Sequence, residues 1–176
     1  MYPIIRTALE MRAARKAPPL PLDGTHVTRV TCLPWDLDYF MELNNGRTLT
    51  LMDLGRTGLA IRTGIISALK KHGWGFTMAG VSVRYRRRVV LWDRLELHTT
   101  FLGHDDRFVY SLQSFRRGGE TTSSSLGRAA LVGKSGIVPP TELTTALGQP
   151  GWNRPLPDWV QSWIAADHSR PWPPEH

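Results

Sequence analysis

The chain has 176 residues, 41% of them hydrophobic, which is enough to bury one ordinary core and too little for two comfortable ones, so one domain with tails is expected. Its single cysteine, Cys32, excludes an intrachain disulfide and a cysteine-based zinc framework, and a reduced, cytoplasmic setting fits best. A formal net charge of +7 favours polyanionic partners: acidic lipid, a small ligand with several phosphates, or nucleic acid. Nucleic acid is the weakest of these, because there is no helix-turn-helix pattern, no metal-finger spacing and no strand-borne aromatic pair set among arginines.

Residues 1–24 form a basic N-terminal arm that ends in the proline-rich "APPLPL". It lacks an apolar run of signal-peptide length, and about 18 successive apolar residues occur nowhere, so no secretory or spanning segment is expected. The first sixteen residues suit a weakly amphipathic basic helix, but an ordinary arm is expected rather than a membrane contact.

The main domain is expected over residues 25–138. "THVTRVTCL" (25–33) is dense in β-branched residues and reads as a first strand. From Arg47 to His72 the spacing turns helical, with Leu51, Leu54, Ile61, Ile65 and Leu69 on one stripe and Leu49, Met52 and Leu59 beside it. Two neighbouring apolar stripes describe a helix buried around much of its circumference. Asn44 or Asn45 can cap its start, and Lys70, Lys71 and His72 before Gly73 suit its C-terminal end. Gly55, Gly58 and Gly64 within it each cost about 1 kcal/mol relative to alanine, which points to close backbone packing against another element.

After Gly73 the pattern is strands to about residue 133. "AGVSVRYRRRVVLW" alternates at first, with Val81, Val83 and Tyr85 on one face and Ser82, Arg84, Arg86 and Arg88 on the other, and Tyr85 is expected in the core. "RLELHTTFLG" groups Leu95, Leu97, Thr99 and Phe101; "GHDDR" and "RRGGE" are turns around "FVYSLQSF"; "SSLGRAALVG" is a last strand. A meander that must bury one face, with one all-round apolar helix available, is most simply an α+β fold in which an antiparallel sheet wraps a long central helix. The Pro/Trp-rich tail, 139–176, holds a possible helix at 156–166, and Trp152, Trp159 or Trp163 is expected to pack on the domain or on a partner subunit.

Several chemistries fail on spacing. The six histidines (His26, His72, His98, His104, His168, His176) lack a two-ligand pattern with a suitable carboxylate, so no metal and no cofactor are expected. "LVGKSG" (131–136) misses the phosphate-loop pattern because its leading glycine would fall at Arg128. There is no G-x-S-x-G elbow, and Cys32 has no basic neighbour to lower its pKa.

What survives is "DLDYFMELNNGR" (36–47). Asp36, Asp38 and Glu42 stand just before a helix N-terminus, where free N–H groups and the macrodipole favour negative charge. Carboxylate plus oxyanion site is hydrolytic equipment; the alternative is that the acids only complement the dipole or close an Asx turn.

The run D-L-D-Y-F-M-E-L-N-N-G-R-x-L-x-x-M-D-L-G-R (36–56) resembles the hotdog-fold thioesterases, nearest the branch containing thioesterase superfamily member six and more distantly 4-hydroxybenzoyl-CoA thioesterase. The likeness continues through "RYRRRVVLWDRLEL" (84–97) and "LGHDDRFVY" (102–110), spanning roughly residues 25 to 135. It implies a hotdog fold and hydrolysis of an acyl-CoA thioester, with the second aspartate of D-x-D, Asp38, as nucleophile or general base. It also implies an oxyanion held by backbone N–H groups around Asn45, Gly46 and Arg47, and a site shared between subunits of a homodimer or tetramer. The branch usually reads H-M-N-N where this chain has Glu42-Leu43-Asn44-Asn45. Glu42 then replaces the histidine as base, or raises the pKa of Asp38 by like-charge repulsion, or marks a site that has lost catalysis.

Asn44 is a cap that also suits substrate positioning. Arg84, Arg86, Arg87 and Arg88 offer a cationic surface for the phosphates of coenzyme A, with a solvated sheet face as the plain alternative, and the same pair of readings applies to Arg47 and Arg56. Two rival functions stand beside the thioesterase: a non-catalytic acyl-CoA or acyl-carrier binding protein, motivated by Glu42, and a hotdog dehydratase or hydratase, disfavoured because no histidine lies in the helix before His72.

Overall fold

A computed structural model describes residues 2–174; His176 lies outside them. In chain order the elements are α1 (Ile4–Lys16), β1 (His26–Thr31), a short helical turn (Pro34–Asp36), α2 (Asn45–Arg62), α3 (Ile65–His72), β2 (Gly75–Tyr85), β3 (Arg94–His104), β4 (Phe108–Arg117), β5 (Glu120–Gly133), β6 (Gly136–Val138), α4 (Pro140–Ala146) and α5 (Asp158–His168). The sheet is antiparallel in the order β1-β3-β4-β5-β2, with β6 on β5. Strands consecutive in sequence, β1 and β2, therefore lie at opposite edges. The connection between them crosses the sheet, and α2 and α3 fill it, which puts the helix against the face formed by the meander.

That face carries the expected residues. Val30, Leu95, Leu97 and Phe115 meet Leu51, Met52 and Leu54 of α2 in one cluster, and Ile65, Ala68 and Leu69 of α3 meet Leu131 and Leu143 in another. The α+β arrangement of a sheet around a central helix is thus as expected. The glycines explain how close the approach is. A Cβ on Gly55 would lie 2.2 Å from Thr99 Oγ1 and 2.8 Å from Leu97 Cδ2, and one on Gly58 would lie 2.1 Å from His26 Nε2.

Four expectations need correction. The helix expected over 47–72 is two helices, because Gly64 takes φ 80°, a left-handed conformation that ends α2 and re-aims the chain. The alternating stretch that continued past residue 85 is strand only to Tyr85; beyond it the amides of Arg86 and Arg87 both donate to the Thr122 carbonyl, at 2.8 and 3.0 Å, and leave the ladder. The tail has a helix, α4, that its short threonine-rich sequence did not announce, and α5 runs two residues later than expected at each end. Trp152 and Trp163 do pack against the domain, but Trp159 and Trp172 are exposed.

The outer face of the sheet is covered by α5. Val160 packs on Tyr110 and Leu126, and Arg128 lies between the Phe108 and Trp163 rings while pairing with Asp167 at 2.6 Å. Among the described residues no helix is long and apolar enough to cross a membrane.

Gly55→Ala should overfill the contact between α2 and β3, lowering unfolding free energy by about 1–3 kcal/mol. Chemical denaturation measures this, and an unchanged midpoint would show that the approach is looser than described.

Candidate active site

The loop between β1 and α2 divides its carboxylates between two tasks. Asp36 is fully buried. Its Oδ2 accepts from Arg6 Nη1 at 2.8 Å and from the Leu33 amide at 3.0 Å, and its Oδ1 accepts from Arg47 Nη2 at 2.9 Å and Nε at 3.2 Å. A carboxylate enclosed by two guanidinium groups is a structural anchor. Asp38 is only half-buried and closes an Asx turn: its Oδ1 accepts from the amides of Phe40 at 2.9 Å and Glu42 at 3.3 Å. Its Oδ2 has no hydrogen-bond partner among the described residues, so one oxygen is held while the other is available.

Asn44 is the cap: its Oδ1 accepts from the Arg47 amide at 3.1 Å, and its own amide donates to the Asp36 carbonyl at 2.9 Å. Of the three amides expected to form an oxyanion site, that of Arg47 is therefore occupied. Those of Asn45 and Gly46, in the first turn of α2, are the open donors among the described residues.

Glu42 does not stand free. Its Oε1 accepts from Arg88 Nε at 2.5 Å, Nη2 of the same guanidinium is closer still, and Glu42 pairs with Val90 through an isolated backbone bridge. This pairing raises the pKa of Arg88 through the hydrogen bond and the charge of Glu42. Together with Asn45, Thr48, Tyr85, Arg86 and Arg87, this pair lines a cleft of about 250 Å³. Arg87 pairs with Glu120 at 2.6 Å, whereas Arg86 is exposed with no ion pair among the described residues.

Asp38, Asn44 and Gly46 lie outside the lining of this cleft, and the other expected arginines are not brought to it either. Arg84 is exposed outside its lining. The guanidinium of Arg47 is held on Asp36, and Arg56 donates to Asp53 and to Gln113. Arg56 and Asp53 instead line a separate cavity of about 430 Å³, further along α2, whose other walls are largely apolar and include Phe76, Met78 and Phe101.

Tyr85 was expected in the core and is not there. It is half-exposed, with its hydroxyl 3.4 Å from the Asn45 carbonyl and its pKa raised by partial burial. Simple alternation concealed it, because the strand ends at that residue. Arg6 was missed altogether, since nothing local links it to a loop thirty residues away.

Residues 32–164 match the sequence model of the thioesterase-like superfamily. The chain belongs to that superfamily. It is 37% identical over 112 residues to Protein THEM6 of Xenopus laevis, covering 63% of this chain and 54% of that one. To Protein THEM6 of Drosophila melanogaster it is 29% identical over 107 residues, covering 60% and 53%. The chain thus spans about half the length of the curated relatives it matches. Its fold is that of the hotdog thioesterases. The probable thioesterase YbaW of Escherichia coli superposes with a TM-score of 0.65 at 19% identity, over 70% of this chain and 97% of that one. The BH1999 gentisyl-coenzyme A thioesterase gives 0.61 at 15%, over 69% and 99%. Among the described residues, no group of three or more His, Cys, Asp or Glu side chains is arranged to hold a metal ion.

Within this superfamily fold, Cys32 is a core residue. Burial first, then the charges of Asp36 and Asp93, push its thiol up to about 11. Because the thiolate is the reactive form, a raised pKa leaves it almost wholly protonated at pH 8. Folded protein should react with a thiol-specific disulfide reagent at that pH more slowly than protein unfolded in guanidinium by a factor of about 10² or more. Rapid labelling without denaturant would contradict the burial.

Proposed function

We propose that this chain is an acyl-CoA thioesterase that uses Asp38 on the thioester and the Asn45 and Gly46 amides on the oxyanion. The observation that carries the reading is the junction of loop and helix. A half-buried carboxylate with one available oxygen precedes a helix whose first two amides are open, beside a cleft edged by Arg86, Arg87 and Arg88.

The chemistry follows from these parts. The available oxygen of Asp38 either attacks the thioester carbonyl, forming an anhydride that water opens, or takes a proton from the attacking water. In both cases the carbonyl oxygen gains negative charge, which preorganised N–H donors at the positive end of α2 stabilise without reorganising. Arg86 suits a coenzyme A phosphate, being exposed and without an ion pair among the described residues, and Arg88 would have to leave Glu42 to do the same. The reaction needs no metal or organic cofactor, and a reduced cytoplasmic setting suits the free Cys32.

We further assign the acyl group to the apolar cavity near Arg56, reached in a homodimer. β2 is an open edge of eleven residues. Phe76 and Met78, near its start, line that cavity, while Tyr85, at its end, lines the arginine cleft. Two copies of β2 paired antiparallel about their midpoint bring the cavity of one subunit beside the cleft of the other. A second reading, binding without turnover, is favoured by the Glu42–Arg88 pair, which neutralises the residue standing where the branch usually has histidine.

Release of free thiol from a panel of aliphatic, aromatic and hydroxyacyl-CoA esters separates the two, and no release above background from any ester abandons the enzyme. Asp38→Asn should lower kcat by about 10²–10⁴ with the circular dichroism spectrum unchanged; unaltered turnover would move the chemistry to another group.

Light scattering should give twice the chain mass, and a monomer would dismantle the shared site.

A further inference from the structure

The helix α1 lies before residue 32, outside the part of the chain that matches the superfamily. It is nevertheless wired into the candidate site by one side chain. Arg6 donates from Nη1 to Asp36 Oδ2 at 2.8 Å and from Nη2 to the Thr31 carbonyl at 3.2 Å. It therefore ties the end of β1 and the start of the catalytic loop to a third element. Asp36, in turn, accepts the Asn44 amide on its backbone carbonyl and the Arg47 guanidinium on Oδ1, so the cap of α2 hangs on the same residue.

We propose that Arg6 is a positioning residue for the thioester site: through Asp36 it fixes the loop that presents Asp38 and aligns that loop with the open amides of α2. The inference rests on the assignment of Asp38 made above.

The geometry supports a role in position and not only in packing. Asp38 is held from within its own loop, by its amide on the Glu42 carbonyl at 2.8 Å and by the two amides on Oδ1. A loop closed on itself can tilt as a unit. Its tilt is fixed on one side by its attachment at Asp36 and Asn44, where Arg6 acts, and on the other by the Leu43 amide on the Val89 carbonyl at 2.8 Å, the Glu42 bridge to Val90 and the Glu42–Arg88 pair. The Met41 backbone at φ 61° shows that the surrounding contacts hold a conformation a methionine does not prefer. Removing Arg6 leaves Asp36 paired with Arg47, so the buried carboxylate is not orphaned. It does remove the Arg6 bonds to Oδ2, which keeps only the Leu33 amide, and to the Thr31 carbonyl.

The helix, through Glu10, and the segment that follows it, through Pro18 and Leu20, have other attachments. Glu10 Oε1 lies 2.7 Å from His26 Nε2, the Leu20 amide donates to the Arg62 carbonyl at 2.9 Å, and Arg62 Nε donates to the Pro18 carbonyl at 2.9 Å. These contacts keep α1 docked when Arg6 alone is changed, so the variant is a test of the link and not of the helix.

The test compares the full chain with Arg6→Ala and Arg6→Lys. Hydrogen exchange read by mass spectrometry should accelerate about tenfold or more in peptides covering 37–44 of Arg6→Ala, while peptides from β3 and β4 exchange as in the parent. On the best thioester found, kcat should fall about tenfold or more with KM little changed, the pattern of a misplaced catalytic group. Added methylguanidinium should restore part of kcat to Arg6→Ala. Arg6→Lys should remain impaired, because one ammonium lacks the fork that spans Asp36 and Thr31. Loop exchange equal to the parent's, or exchange raised uniformly across the sheet, overturns the proposal, as does a raised KM at constant kcat. If the parent hydrolyses no thioester, the enzymatic reading fails separately, and the exchange pattern still decides for or against the anchor.

Discussion

The close approach of α2 to the sheet is the constraint on which the rest of this molecule depends. Where Gly55 and Gly58 face Thr99, Leu97 and His26 there is no room for a methyl group. The backbone of the helix therefore lies against the side chains of β1 and β3, its axis is fixed within narrow limits, and its N-terminus is delivered to the loop leaving β1. A helix standing off on larger side chains would shift its first turn relative to the loop that joins it at Asn44; under the proposed function, the same packing sets where the first amides of α2 stand relative to Asp38.

The second constraint is electrostatic and lies at that same end. Two aspartates separated by one residue would repel if both faced one site; here they face different surroundings. Asp36 points into the protein, where Arg6 and Arg47 offset its charge, and Asp38 points toward the surface, where backbone amides hold one oxygen only. The D-x-D spacing achieves this division because the Asp36 end of the short helical turn is buried while residues after it emerge. The first aspartate builds the loop that the second uses.

How much of this was legible follows from the range of each interaction. The central helix, the meander, the turns at Asp105 and at Gly118–Gly119, and the capping role of an asparagine all depend on neighbours within a few residues, and the local pattern carried them. Gly64 shows where such reading ends. In a periodic sequence a glycine that allows close packing and a glycine that breaks the helix look the same; after the break, α3 carries Ile65, Ala68 and Leu69 into the cluster with Leu131 and Leu143. Arg6 with Asp36, and Glu42 with Arg88, join residues 30 and 46 apart. No periodicity encodes such pairs, and so the arginines read as general phosphate candidates divided into those already engaged, Arg47, Arg56, Arg87 and Arg88, and Arg84 and Arg86, which have no ion pair among the described residues.

Glu42 is where sequence and structure bear most sharply on one another. A histidine at that position could exchange a proton near neutral pH, whereas the carboxylate that stands there is engaged by Arg88, whose own pKa the pairing raises. The pair couples the loop to the segment that follows β2. Under the proposed function, an incoming phosphate would compete with Glu42 for the same guanidinium, which would couple substrate binding to the release of Glu42.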